Sequence, residues 1–141
     1  MKRAFYEVNY HFIDRNNDNH YFQIGYFSTK ENAKKSIDKL REKSGFKDTN
    51  GVFEIDKFSV DFDKIKQDKK DIVLYELSHE YTDSEGYDNF IVFGVYSTYD
   101  EAEFIKNKKA QEIPYIDYPE GFLIADSKID ICGWSEGFSC E

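Results

Sequence analysis

The sequence predicts an α+β fold in which a β-β-α-β unit occurs twice. Three observations carry this. Apolar residues alternate with polar ones at the start of each half, a capped helix follows the second strand of each, and the chain aligns with itself without gaps at an offset of 69 residues. At that offset Tyr6-Glu7 meets Tyr75-Glu76, Gly25-Tyr26-Phe27-Ser28-Thr29 meets Gly94-Val95-Tyr96-Ser97-Thr98, and Phe53-Glu54-Ile55 meets Phe122-Leu123-Ile124. Matched positions keep size and polarity more often than identity.

The first strand is expected over Ala4, Tyr6, Val8, Tyr10 and Phe12, which share one face of a period-two pattern. Asp14-Arg15-Asn16-Asn17-Asp18-Asn19 then turns the chain. Tyr21–Phe27 is apolar on both faces and is expected to be a central strand. Ser28 with Glu31 fits a capping box, Ala33, Ile37 and Leu40 mark the buried side of the helix, and Gly45 is expected to end it. A last strand spans Phe53 to Phe62, with a change of phase between Ile55 and Phe58 that predicts a bulge. The second copy repeats the order: a strand through Val73, Tyr75, Leu77, His79 and Tyr81, a turn at Asp83-Ser84-Glu85-Gly86, a strand over Tyr87–Tyr96, a helix opened by Ser97 and Asp100, and a strand over Phe122–Ile131. Units of this size bury little apolar surface alone. The expected architecture is therefore a single domain: an intramolecular pseudo-dimer of residues 1–62 and 71–141, mostly antiparallel sheet with two helices, joined by an exposed connector over 63–70.

Composition narrows the function classes. Of 141 residues, 40% are hydrophobic and 18% aromatic, which suffices for a core and argues against disorder. No apolar run approaches the roughly 20 residues that span a bilayer. Glu7 and Asn9 stand where a signal peptide needs its apolar stretch, so a cytoplasmic chain is expected. Charge is uneven. Residues 1–70 hold 15 Lys/Arg and 12 Asp/Glu, a net of +3, whereas residues 71–141 hold 4 and 16, a net of −12. Such a field repels nucleic acid and membrane phosphate and attracts a cation or a basic protein.

Catalytic constellations are poor. His11, His20 and His79 are scattered, and the adjacent His79-Glu80 pair points to opposite faces of a strand. His79 is expected to be a packed, hydrogen-bonded histidine. Cys132 and Cys140 lack the spacing of a metal site and are read as a late disulfide or two spectator thiols. There is no glycine-rich phosphate loop. Asp14-x-Asn16-x-Asp18 mimics the start of a calcium loop, but Asn19 and Gly25 stand where its glycine and glutamate belong, so turn chemistry is the better reading. No enzyme, cofactor or metal is expected.

Short motifs in the second copy carry a resemblance. Gly94-Val95-Tyr96-Ser97-Thr98 with Ala102, then Tyr118-Pro119-Glu120-Gly121-Phe122, then Trp134-Ser135-Glu136-Gly137-Phe138 are similar to a small bacterial domain family that ends in a Trp-x-Glu-Gly-Phe signature and has no assigned function. The resemblance covers residues 72–138 and implies a fold but no chemistry. The first copy departs from it, with Ile65 where the tryptophan would stand.

The remaining signal is acidic residues set beside aromatics. Asp83, Glu85, Tyr87 and Asp88 at the second hairpin, Asp117, Tyr118 and Glu120 after the second helix, and Trp134 with Glu136 near the end form the expected partner-binding set. Tyrosine and tryptophan anchor interfaces, and carboxylates steer basic partners. The expected function is a non-catalytic binding module, an immunity protein or inhibitor of a basic toxin or effector nuclease. The alternatives are a phage-type anti-defence protein that mimics nucleic-acid charge, and a small-ligand or metal-binding domain with its site between the copies.

Overall fold

A computed structural model describes residues 2–62 and 72–139. The chain forms β1 (Lys2–Ile13), β2 (Asn19–Phe27), α1 (Lys30–Leu40), β3 (Val52–Asp61), β4 (Val73–Thr82), β5 (Asp88–Tyr96), α2 (Tyr99–Lys109) and β6 (Phe122–Lys128). The expected α+β class holds: there are two three-stranded antiparallel sheets, in the orders β2-β1-β3 and β5-β4-β6, and two helices. Residues 63–70, the expected connector, lie outside the described residues except as sequence.

The chain divides into two compact units whose membership differs from the expected 1–62 and 71–141. One unit comprises Lys2–Ser59 with Ile129–Glu141, and the other takes Val60–Lys128. The last strand therefore stops at Lys128 instead of Ile131, and the C-terminal tail belongs with the first copy. Asp130 adopts a φ of 64°, which breaks the strand just past its end.

The 69-residue repeat extends to fine geometry. Tyr6 pairs with Phe27 as Tyr75 pairs with Tyr96, and the ladders slip at Val8/Asn9 and at Leu77/Ser78. In the first hairpin the Asp14 carboxylate accepts N–H bonds from Asn16 and Asp18, at 2.8 and 3.0 Å. The Asp83 carboxylate accepts from Glu85 and Tyr87, both at 3.0 Å. The aspartate that resembled a calcium ligand thus caps its own turn. The left-handed position is filled by Asn17 in one turn and Gly86 in the other.

Three local expectations need correction. The helix caps are Thr29 and Thr98, not Ser28 and Ser97: each threonine hydroxyl accepts the N–H three residues on, at 3.0 and 3.1 Å. Ser28 is instead engaged by Asp130, which accepts its N–H at 2.8 Å and its hydroxyl at 2.6 Å. α1 ends at Leu40 with Arg41 as its C-cap, and Gly45, at φ 85°, serves the following turn. β2 is an edge strand, with β1 central. Its open edge is taken up by the tail: Asp130 and Gly133 donate N–H bonds to the carbonyls of Tyr26 and Ile24, at 2.9 and 2.7 Å. In β3, Phe53 and Ile55 and then Phe58 and Val60 are the less exposed positions, with Asp56 and Lys57 both exposed between them, the change of phase read from the sequence.

α1 packs Ala33, Ile37 and Leu40 against Val8, Tyr10, Phe12, Ile24 and Phe27. In the other unit Leu74, Leu77 and Ala102 are fully buried. Removing the cap hydroxyls by Thr29→Ala or Thr98→Ala should each cost about 1 kcal/mol of stability, read as a lower urea midpoint with unchanged slope.

Candidate functional site: an acidic aromatic cleft

The segment between α2 and β6 is built on His79. His79 is buried in the middle of β4, and its ring meets Tyr115 and Phe122 edge-on, at centroid distances of 4.9 and 4.5 Å. Its Nε2 lies 2.8 Å from the carbonyl oxygen of Tyr118. A carbonyl only accepts, so Nε2 carries the proton and the ring is the Nε2–H tautomer. Nδ1 is buried with no hydrogen-bond partner. The packed histidine expected from the sequence thereby fixes the backbone of a loop. The first unit repeats the device 69 residues earlier: Tyr10 meets Phe46 and Phe53, and its hydroxyl donates to the Thr49 carbonyl at 3.4 Å.

Two short 3-10 turns, Tyr115–Asp117 and Pro119–Gly121, carry the loop past the end of β4. The second turn requires glycine. A Cβ on Gly121 would collide with the Glu80 carbonyl oxygen and stand 2.7 Å from His79 Nε2. The result is an open cleft of about 470 Å³ lined by Glu80, Tyr81 and Thr82 of β4 and by the loop residues 117–121. Tyr81 and Tyr118 stack at 4.3 Å and 28°. Burial, and then the charge of Asp83, push the Tyr81 phenol up, so it stays protonated at neutral pH.

The structure therefore brings together Asp117, Tyr118 and Glu120 of the expected set. It adds Glu80, Tyr81 and Thr82, none of which belongs to the set expected from the sequence. Period-two spacing placed Tyr81 on the same face as His79, and that was the available signal. The hairpin residues adjoin the cleft through Thr82, whose hydroxyl donates to Asp88 at 2.7 Å. Tyr87 and Glu85 are exposed at the hairpin tip. Asp83 accepts from Glu85, Tyr87 and Asn89, and the Tyr87 N–H above all holds its carboxyl below the usual range.

Trp134 and Glu136 are not part of this cluster and lie in the other unit. Trp134 stacks on Phe22 at 4.4 Å and donates its indole N–H to the Gln23 carbonyl at 3.1 Å. Phe138 inserts among Phe12, Phe22 and Phe46, and its N–H bonds the Ser44 carbonyl at 2.9 Å. Glu136 is exposed on this tail. Cys132 is a half-buried free thiol pushed up by burial, and Cys140, its partner in the disulfide alternative, lies outside the described residues.

At the 69-residue offset, Glu80, Tyr118 and Glu120 stand where the first copy has His11, Thr49 and Gly51. The acidic aromatic character is thus particular to the second unit. Residues 60–128 hold 8 Lys/Arg and 16 Asp/Glu, a net of −8, against 11 and 12, a net of −1, for residues 2–59 with 129–141. Carboxylates beside stacked phenol rings suit an ammonium or guanidinium group. Among the described residues no group of three His, Cys, Asp or Glu side chains is placed to hold a metal ion, and no helix is long and apolar enough to cross a membrane.

No family model, no curated protein and no solved structure matches the chain.

His79→Ala should cost about 2–3 kcal/mol, through the lost bond to Tyr118 and the cavity left behind, and should disorder the cleft loop, seen as faster amide exchange from Tyr115 to Gly121. Acid should act through Asp83. Its folded pKa is lowered, so its contribution is present above the unfolded value of about 3.9 and is lost as pH falls through the folded value. Asp83→Asn should accordingly be less stable than the parent at pH 7, and the gap measured by urea unfolding should close as pH falls below about 4.

Proposed function

We propose that the protein is a non-catalytic acidic binding module that neutralises a basic protein, as an immunity protein or inhibitor of a toxin or effector nuclease does. The observation that supports this most is the cleft itself. It is lined by Glu80, Asp117 and Glu120 together with a stacked tyrosine pair, in the unit that carries almost all the net charge. Nuclease active sites are basic because they hold phosphate, and a lysine or arginine from such a surface is the group this cleft suits. Long-range attraction would speed encounter, and the tyrosines would slow departure.

The test is association kinetics against a panel of basic bacterial nuclease toxins, each inactivated by substitution, at 0.1 and 1 M salt. The Debye length falls from about 10 Å to about 3 Å over that range. For the member bound, the on-rate should fall at least about tenfold with salt, and lysine substitution of Asp117 and Glu120 should have a similar effect. Tyr118→Ala should act on the off-rate, by on the order of 2 kcal/mol. Binding that ignores salt, or that suffers more from lysine at Asp14 and Asp18, would contradict the proposal.

A further inference from the structure

Among the described residues, the helix that packs on the β5-β4-β6 sheet is α2, which covers one of its faces. Tyr75 meets Tyr99 of α2, and the Lys109 ammonium lies over Phe93, so the α2 face carries Tyr75, Leu77, His79 and Phe93. Residues directly opposite in an antiparallel ladder share a face. Ser78 is opposite Val92 on one side and Leu123 on the other, and Glu80 is opposite Phe90. Phe90, Val92 and Leu123 therefore stand together on the face turned away from α2, at 66%, 43% and 59% exposure. Three apolar side chains on the two outer strands thus flank Ser78 of β4.

The fold does not require them. At the 69-residue offset the first unit has Tyr21, Gln23 and Glu54. There Tyr21 stacks flat on His11 at 4.3 Å, and Gln23 donates to Glu7 at 2.7 Å. The same backbone thus carries Tyr, Gln and Glu at these positions in one unit and Phe, Val and Leu in the other.

We infer that the face bearing Phe90, Val92 and Leu123 docks the apolar side of a basic amphipathic helix of the partner. This rests on the proposed function and specifies the partner's chemistry. Charge selects the occupant. Glu80 borders the patch beside Phe90, and the unit as a whole is at −8, so a second copy of this chain would bring like charge to the contact. Continuity gives the same answer: Glu80 lines the acidic cleft and is also opposite Phe90, so one ligand can engage both. A helix is the suitable element. Its diameter of roughly 10 Å matches the span of three strands set about 4.8 Å apart, and packing a helix on a bare sheet face completes a layer.

Binding by calorimetry of two synthetic 18-residue helical peptides tests this. One has leucine at i, i+3, i+4 and i+7 with lysine elsewhere. The other has serine in place of every leucine at the same charge. The leucine peptide should bind at least tenfold tighter. Val92→Ser with Leu123→Ser, both exposed and checked for an unchanged urea midpoint, should abolish that difference. Asp117→Asn with Glu120→Gln should weaken both peptides. Equal affinity of the two peptides, or indifference to the serine pair, overturns the inference while leaving the cleft reading intact. Leucine-peptide binding that ignores the cleft variants and salt overturns the basic-partner reading and this inference with it, as does failure of both peptides to bind. A concentration-dependent dimer abolished by the serine pair would make a second copy the occupant and also overturn it.

Discussion

A three-stranded sheet with a single helix covers one face and leaves two edges and a second face to be finished. The C-terminal tail supplies part of that finish in the first unit. The Asp130 carboxylate holds the backbone and hydroxyl of Ser28 just before α1, and Gly133 bonds the Ile24 carbonyl on the open side of β2. Phe138 then completes an aromatic cluster that the unit's own first sixty residues leave incomplete. The glycines of this contact are fixed by close approach: a Cβ on Gly137 would strike the Ser44 carbonyl, and Gly137 sits at φ 80°. Much of the arrangement of β2, α1 and the loop after it depends on this docking.

The two units share a backbone plan and differ in how it is finished. Phe22 lies under Trp134, whereas its counterpart Ile91 is partly exposed. Tyr10 and His79 play the same part against the following loop, through the same carbonyl position. The loop held by His79 carries Asp117, Tyr118 and Glu120, and the loop held by Tyr10 carries Asp48, Thr49 and Gly51. Framework contacts shared by the two units thus present different chemistry. That division of labour, with stable elements positioning variable loops, is what supports a binding role for the second unit.

Most of the fold was legible in the sequence because its signals are local or periodic. The alternation from Ala4 to Phe12, the helix pattern of Ala33, Ile37 and Leu40, and the turn aspartates Asp14 and Asp83 each act within a few residues. The self-alignment joined them into a repeat. What was not legible depends on contacts distant in sequence. The apolar run Tyr21–Phe27 predicts a central strand, but β2 is an edge strand whose open side is bonded by residues 130–134, more than a hundred positions away. Ser28 looked like a cap until Asp130 claimed it, leaving the role to Thr29. Trp134 and Glu136 were grouped with the second copy by chain order, while the tail packs on the first. In the cleft, Asp117, Tyr118 and Glu120 stood out by composition. Glu80 and Tyr81 did not, since a strand residue becomes part of a site only when a loop is pinned beside it.

The central claim is that the second unit carries the binding chemistry and the first is finished as framework. Amide chemical-shift mapping of the labelled protein with the leucine–lysine peptide tests it most directly. The account predicts shifts at Glu80, Tyr81, Asp117, Tyr118 and Glu120 and along Phe90, Val92 and Leu123, with Asp14, His20 and Tyr21 unmoved. Shifts concentrated in the first hairpin or around Trp134 and Phe138 would contradict it.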